Sequence, residues 1–144
     1  MVGKPTNKAF VYIVDDADDY RFLVQQVFTR FMPQYDTSFF AGGTELLTQL
    51  DAASVQPSLI LLDLHMPGMD GQQTLLRLKQ NPAWKLIPVV VITSSSSAQE
   101  VQACYEAGAN SCLVKPIDMQ TMRQLLEQVC LYWVETNGPL TVGN

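Results

Sequence analysis

The sequence predicts one doubly wound α/β domain, a five-stranded parallel sheet with five alternating helices. Three observations carry this. Apolar runs of strand length alternate with amphipathic segments of helix length along the chain. The third run, Ser58-Leu59-Ile60-Leu61-Leu62, and its neighbours are continuously apolar, as in strands covered on both faces. The 144 residues suffice for one domain and not comfortably for two. Repeated strand–helix units then give a parallel sheet with helices on both faces.

The first strand spans Ala9–Val14. The first helix follows over Asp18–Phe31, where Asp18 and Asp19 suit the helix dipole. Its stripe of Phe22, Leu23, Gln26, Val27, Arg30 and Phe31 is expected to face the sheet, and Pro33 stops it. A short strand, Thr37–Phe40, ends at Gly42-Gly43, with Phe39 and Phe40 read as core. The second helix, Thr44–Ala53, takes Gly43 or Thr44 as its cap. Pro57 precedes the third strand, Ser58–Leu62. Pro67-Gly68-Met69-Asp70-Gly71 is a turn, with Asp70 the cap of a third helix over Gly71–Lys79. Asn81-Pro82 ends that helix. The fourth strand is Ile87–Ile92. After the polar run Ser94–Ser97, Ser97 and Glu100 form a capping box for the fourth helix, which ends at Gly108 as a left-handed residue. A fifth strand, Ser111–Val114, leads to Lys115-Pro116. The last helix covers Asp118–Val134, with Met122, Leu125, Leu126, Val129 and Trp133 inward.

Composition narrows the function. A net charge of −5 and a pI near 4.6 argue against an electrostatic nucleic-acid face. Cys104, Cys112 and Cys130 fit neither a disulfide framework nor a zinc site, and read as buried thiols of a reducing cytoplasm. No apolar run suits a signal peptide or a membrane span. Residues 1–7 read as a flexible N-terminus, 8–134 as the domain and 135–144 as a polar tail with no output domain.

The chemistry sits where strands end. Asp15 and Asp16 close the first strand, Asp63 the third, Thr93 the fourth and Lys115 the fifth. Parallel α/β sheets form sites outside the carboxyl ends of their strands. Three crowded carboxylates repel one another and push a pKa upward. A hard divalent cation, Mg²⁺ or Mn²⁺, relieves this, since Mg²⁺ is typically held by one or two carboxylates plus a phosphate. A remaining aspartate is then free to act as a covalent phosphoryl acceptor. Lys115 would supply further charge stabilisation, and Thr93 a hydrogen bond to a phosphoryl oxygen. Taken singly, an aspartate at a strand end is commonly just a helix cap. The combination is what points to a site.

Four segments carry a resemblance: Val14-Asp15-Asp16, Asp63 through Gly71, Val90-Val91-Ile92-Thr93 and Leu113-Val114-Lys115-Pro116. In this order, at strand ends, over residues 8–134, they resemble the stand-alone, chemotaxis-regulator type of two-component response-regulator receiver domain, with its flavodoxin-like fold. The resemblance implies that Asp63 is phosphorylated by a histidine kinase or phosphotransfer protein. It implies that Asp15, Asp16, Asp63 and the His65 backbone carbonyl bind Mg²⁺ (or Mn²⁺). Thr93 becomes the switch hydroxyl and Lys115 the salt-bridging cation. The output becomes a protein contact through the face of the fourth helix, fifth strand and fifth helix, or onward phosphotransfer in a phosphorelay. The only catalysis implied is of the domain's own phosphorylation and dephosphorylation. A cis Lys115–Pro116 bond is also implied.

The chain departs from the family at Cys112, where many receivers carry a Tyr or Phe that moves with the switch threonine. Tyr105 is the substitute aromatic on offer. His65 and Ser95 flank the site two positions after Asp63 and Thr93, and are candidates for tuning dephosphorylation. Tyr132 and Trp133 are candidates for a homodimer or partner face.

The alternative reading is a degenerate receiver used as a phosphorylation-independent binding module. Two enzyme-class readings on the same architecture fit less well. A flavodoxin-like carrier needs a Ser/Thr/Gly-rich phosphate loop where Asp15-Asp16-Ala17-Asp18-Asp19 stands. An aspartyl phosphatase needs a threonine after Asp16-Ala17-Asp18 that the chain lacks.

Overall fold

The computed structural model describes residues 8–94 and 97–137. Its elements run β1 (Ala9–Val14), α1 (Asp18–Phe31), β2 (Tyr35–Phe40), α2 (Gly43–Ala52), β3 (Leu59–Leu62), α3 (Gly71–Gln80), β4 (Val89–Thr93), α4 (Ala98–Glu106), β5 (Ser111–Val114) and α5 (Met119–Cys130), followed by a π-helical turn, Leu131–Thr136. All strands are parallel, in the order β2-β1-β3-β4-β5. The chain leaves β1 toward one edge and returns to β3 on the other side. The junction of β1 and β3 is therefore the topological switch point, where doubly wound sheets open a crevice.

Strand alternation distributes one apolar sequence between two cores. Val11 and Ile13, Leu59 and Leu61, and Val90 and Ile92 face α1 and α5, meeting Val24, Val27, Phe28, Met122, Leu126 and Val129. Tyr12 and Val14, Ile60 and Leu62, and Val89 and Val91 face α2, α3 and α4, meeting Leu46, Leu50, Leu75, Leu78 and Cys104. The central strands are thus buried on both sides.

Two capping boxes start helices beside the crevice. Gln73 N–H donates to Asp70 Oδ1 at 2.9 Å, and Asp70 N–H donates to Gln73 Oε1 at 3.0 Å. Glu100 N–H donates to Ser97 Oγ at 3.1 Å, and Ser97 N–H donates to Glu100 Oε1 at 2.9 Å. Asp70→Ala is therefore expected to cost about 1 kcal/mol, read as a lower midpoint in urea with an unchanged slope. Gly108 follows α4 at φ +108°, a conformation that favours glycine.

Several expectations are corrected. α1 buries Val24, Val27 and Phe28, while Phe22 is 63% exposed. The helix is rotated from the expected stripe because the side chains that meet the sheet and α5 lie at 24, 27, 28 and 31. β2 begins at Tyr35, two residues early. Tyr35 is buried, pairs with Ala9 and sets its ring edge-on to Phe28 at 6.2 Å. α2 opens at Gly43 behind an extended Gly42. β4 begins at Val89 and includes Thr93. Asp118 caps α5 from outside it, accepting from Thr121 N–H at 2.7 Å. α5 gives way to the wider π turn at Leu131 instead of running on to Val134, and the Tyr35 hydroxyl donates to Glu135 at 2.9 Å. Leu125 and Trp133 face inward as expected, partly buried against the core. Among the described residues every peptide bond is trans, Lys115–Pro116 included, the form an X–Pro bond favours by about 0.5–1 kcal/mol.

Candidate functional site

The strand ladders continue one residue past β1 and β3 and so fix two carboxylates. Asp15 N–H donates to Phe40 O at 3.0 Å, and Asp63 N–H donates to Val14 O at 2.9 Å. Both side chains are nearly inaccessible, Asp15 at 1% and Asp63 at 6%. Asp16 turns outward and is exposed. The three still offer carboxylate oxygens that all lie within 4.8 Å of one another.

On the other side of the crevice Lys115 N–H donates to Thr93 O at 2.9 Å, which anchors the lysine at the end of β5. Its Nζ lies 2.6 Å from Asp15 Oδ2 and 3.7 Å from Asp63 Oδ1. Thr93 is fully buried at the end of β4. The structure thus gathers Asp15, Asp16, Asp63 and Lys115 into one cluster, with Thr93 on the adjoining strand end.

Three carboxylates facing one ammonium leave excess negative charge. Burial, then the Asp15 charge and further Asp16, push Asp63 from its ordinary 3.8 up to about 6, while Lys115 and a backbone hydrogen bond from His65 oppose the rise. Asp15 Oδ2 is ion-paired with the Lys115 ammonium at 2.6 Å. Three carboxylates whose oxygens lie within 4.8 Å of one another, in excess over the one ammonium beside them, suit a hard divalent cation.

This has a consequence for stability. Folding raises the Asp63 pKa, so between about pH 4 and 6 the folded state holds the proton that the unfolded state has released. Stability is then greatest below the unfolded value and is lost as pH rises through about 6. Metal-free protein is expected to melt at a lower temperature as pH rises across that window. Asp63→Asn should lack the slope, and Mg²⁺ should restore the melting temperature at the upper end.

His65 is exposed on the loop after β3, with Nε2 3.7 Å from Glu100 Oε2 at the start of α4. Ser95 lies outside the described residues. Cys112 is half-buried, and its N–H donates to the Tyr105 hydroxyl at 3.0 Å, so the aromatic offered in its place reaches the edge of β5 from α4. Burial pushes Cys104 up to about 11 and Cys130 up to about 12, so neither is a thiolate at neutral pH.

Sequence reading missed two neighbours of the site. Arg21 Nη1 donates to Asp15 O at 2.6 Å and also pairs with Asp18. The Tyr20 ring lies under the Lys115 ammonium. Burial, then the charges of Asp15 and Asp63, push the Tyr20 phenol upward, so it stays protonated. Their place in the first turn of a helix that starts just past an acidic strand end was the available signal.

Fold and site together define a class: a doubly wound parallel α/β domain with an acidic, lysine-bearing pocket at its switch point. Within that class the chain belongs to the response regulator receiver domain family of two-component signalling, whose sequence model matches residues 11–127. It is 33% identical to response regulator Rcp1 of Synechocystis sp. (strain ATCC 27184 / PCC 6803 / Kazusa) over 134 residues, 90% of each chain. The Mn²⁺-bound crystal form of Rcp1 superposes with a TM-score of 0.79 at 32% identity, covering 89% of this chain and 96% of that one. The phosphorylated cyanobacterial phytochrome response regulator RcpA superposes at 0.83 with 25% identity, covering 90% and 96%. Among the described residues no helix is long and apolar enough to cross a membrane.

Proposed function

We propose that this receiver accepts a phosphoryl group on Asp63 from a histidine kinase or phosphotransfer protein and signals by changing a protein contact. The observation that carries the reading is the convergence of Asp15, Asp16 and Asp63 within 4.8 Å, with Lys115 between two of them. An Asp63 carboxylate oxygen attacks phosphorus, the P–N bond of the donor phosphohistidine breaks, and the imidazole leaves with that electron pair. Asp15, Asp16, Asp63 and the His65 carbonyl would hold Mg²⁺ (or Mn²⁺). When bound, the cation neutralises charge on the phosphoryl oxygens. Asp63 must be ionised to attack, and the ammonium favours that form. Lys115 moves from Asp15 toward a phosphoryl oxygen, and the Thr93 hydroxyl donates to another. Two relatives, one solved bound to Mn²⁺ and one phosphorylated, support the reading.

Phosphorylation adds about −1.5 to −2 charge if it titrates like other phosphates. Drawing Thr93 and Lys115 toward that charge shifts the loop after β4 and the face of α4, β5 and α5. Tyr105, Val114, Ile117 and Met119 are exposed apolar side chains of these elements and the loop joining them, and suit a protein partner.

The test is incubation with acetyl phosphate and Mg²⁺, read by intact mass. A gain of one phosphoryl group that requires Mg²⁺ is expected. No gain with either acetyl phosphate or a kinase would favour the phosphorylation-independent binding module. His65→Ala and Ser95→Ala are expected to change the dephosphorylation rate several-fold, measured as decay of the labelled mass after donor removal. Decay matching the parent would remove the tuning role from both.

A further inference from the structure

Lys115 has a neighbour that the acidic cluster does not explain. Its Nζ lies 4.1 Å from the centroid of the Tyr20 ring, besides its contacts with Asp15 at 2.6 Å and Asp63 at 3.7 Å. Tyr20 stands in the first turn of α1, and its hydroxyl reaches Met122 Sδ of α5 at 3.7 Å. The ring is therefore held by α1 at one end and by α5 at the other. An aromatic face attracts a cation through its quadrupole, more strongly where water is excluded. The Lys115 side chain is only 15% exposed. Lysine carries a strongly hydrated point charge on a flexible stem. A rigid apolar wall beside that charge narrows the positions it can occupy.

We propose that Tyr20 is a positioning residue: its ring face keeps the Lys115 ammonium within reach of both Asp15 and Asp63, so that the cation is in place before a phosphoryl group arrives. The inference rests on the phosphoacceptor reading above. With acetyl phosphate the Asp63 oxygen–phosphorus bond forms, the phosphorus–oxygen bond to acetate breaks, and acetate leaves with the electron pair. The ammonium then turns from Asp15 to a phosphoryl oxygen while remaining against the ring.

Tyr20 also packs against the core, so the test must separate positioning from packing. Initial rates of Mg²⁺-dependent labelling by acetyl phosphate are compared in the parent, Tyr20→Phe, Tyr20→Leu, Lys115→Met and the Tyr20→Leu/Lys115→Met pair. Tyr20→Phe keeps the ring and is expected within about twofold of the parent. Tyr20→Leu is expected to label about tenfold more slowly, the factor a partly desolvated cation–π contact supplies. Added to Lys115→Met, Tyr20→Leu should change nothing further. In the parent and in Tyr20→Phe, the Lys115 Cε proton resonances should be shifted upfield by the ring current, with the shift gone in Tyr20→Leu. That spectrum reads the parent directly, whether or not Tyr20→Leu folds. Ordinary Lys115 shifts in the parent, an unchanged Tyr20→Leu rate, or equal slowing by Tyr20→Leu with and without Lys115 would overturn the proposal alone. A parent that takes no label from any donor would overturn the phosphoacceptor reading and this inference with it.

Discussion

Asp63→Asn is expected to abolish phosphoryl acceptance while making the metal-free protein more stable. The two effects share one cause. Asp63 is the carboxylate at the end of β3 whose charge is disfavoured by burial and then by Asp15, which raises it to about 6. Asparagine has nearly the same shape and removes the repelled charge. A two-unit shift is worth at most about 3 kcal/mol. The asparagine leaves a buried amide to be hydrogen-bonded, which offsets part of this, so a gain of about 1 kcal/mol, read as a small rise in urea midpoint at pH 7 without metal, is expected. The amide cannot act as the nucleophile, so the mass gain with acetyl phosphate and Mg²⁺ should vanish. Such opposition of stability and activity is common where a site holds like charges together. A stabilised variant that still gained a phosphoryl group would place the acceptor elsewhere.

Gly71→Ala is expected to be among the most damaging single substitutions near the site. A Cβ at this position would lie 2.2 Å from the Asp63 carbonyl oxygen, 2.6 Å from Leu64 Cα and 3.0 Å from the Asp63 carbonyl carbon. These are backbone atoms, so no side chain can swing away. The contact is close because α3 begins directly against the end of β3, where Gly71 N–H donates to Leu64 O at 2.9 Å. One added methyl must push the helix start off the strand that carries Asp63. A loss of about 3 kcal/mol or more is expected, read by urea unfolding. Mg²⁺ affinity should fall as well, because the displaced backbone is Asp63's own. Unchanged stability would mean that α3 can shift without cost, and would remove the close-approach role of Gly71.

The strand ends were readable because each apolar run stops at a residue that cannot remain in an uncharged core. Val14 gives way to Asp15, Leu62 to Asp63 and Val114 to Lys115. Where the local signal was strong the structure agrees closely. β1, α1 and β5 have the expected limits, and the Asp70 and Ser97 caps form as expected. Where one residue type suits either state, the boundary moved. Tyr35 and Asp36 precede the expected strand start at Thr37, yet they join β2, paired in register with Ala9 and Phe10.

The sequence by itself determined the strand–helix alternation and the doubly wound class, and it offered Asp15, Asp16, Asp63, Thr93 and Lys115 as the candidate set. These are written in local periodicity and in which residues end the apolar runs. The tertiary structure decided which face of α1 is buried, how close Gly71 comes to β3, that the Tyr105 hydroxyl meets the Cys112 amide, and that the Tyr20 ring lies against the Lys115 ammonium. Each of these is a meeting of segments far apart in the chain or angled by packing. Their distances follow from how the helices settle on the twisted sheet, which no local pattern in the chain encodes.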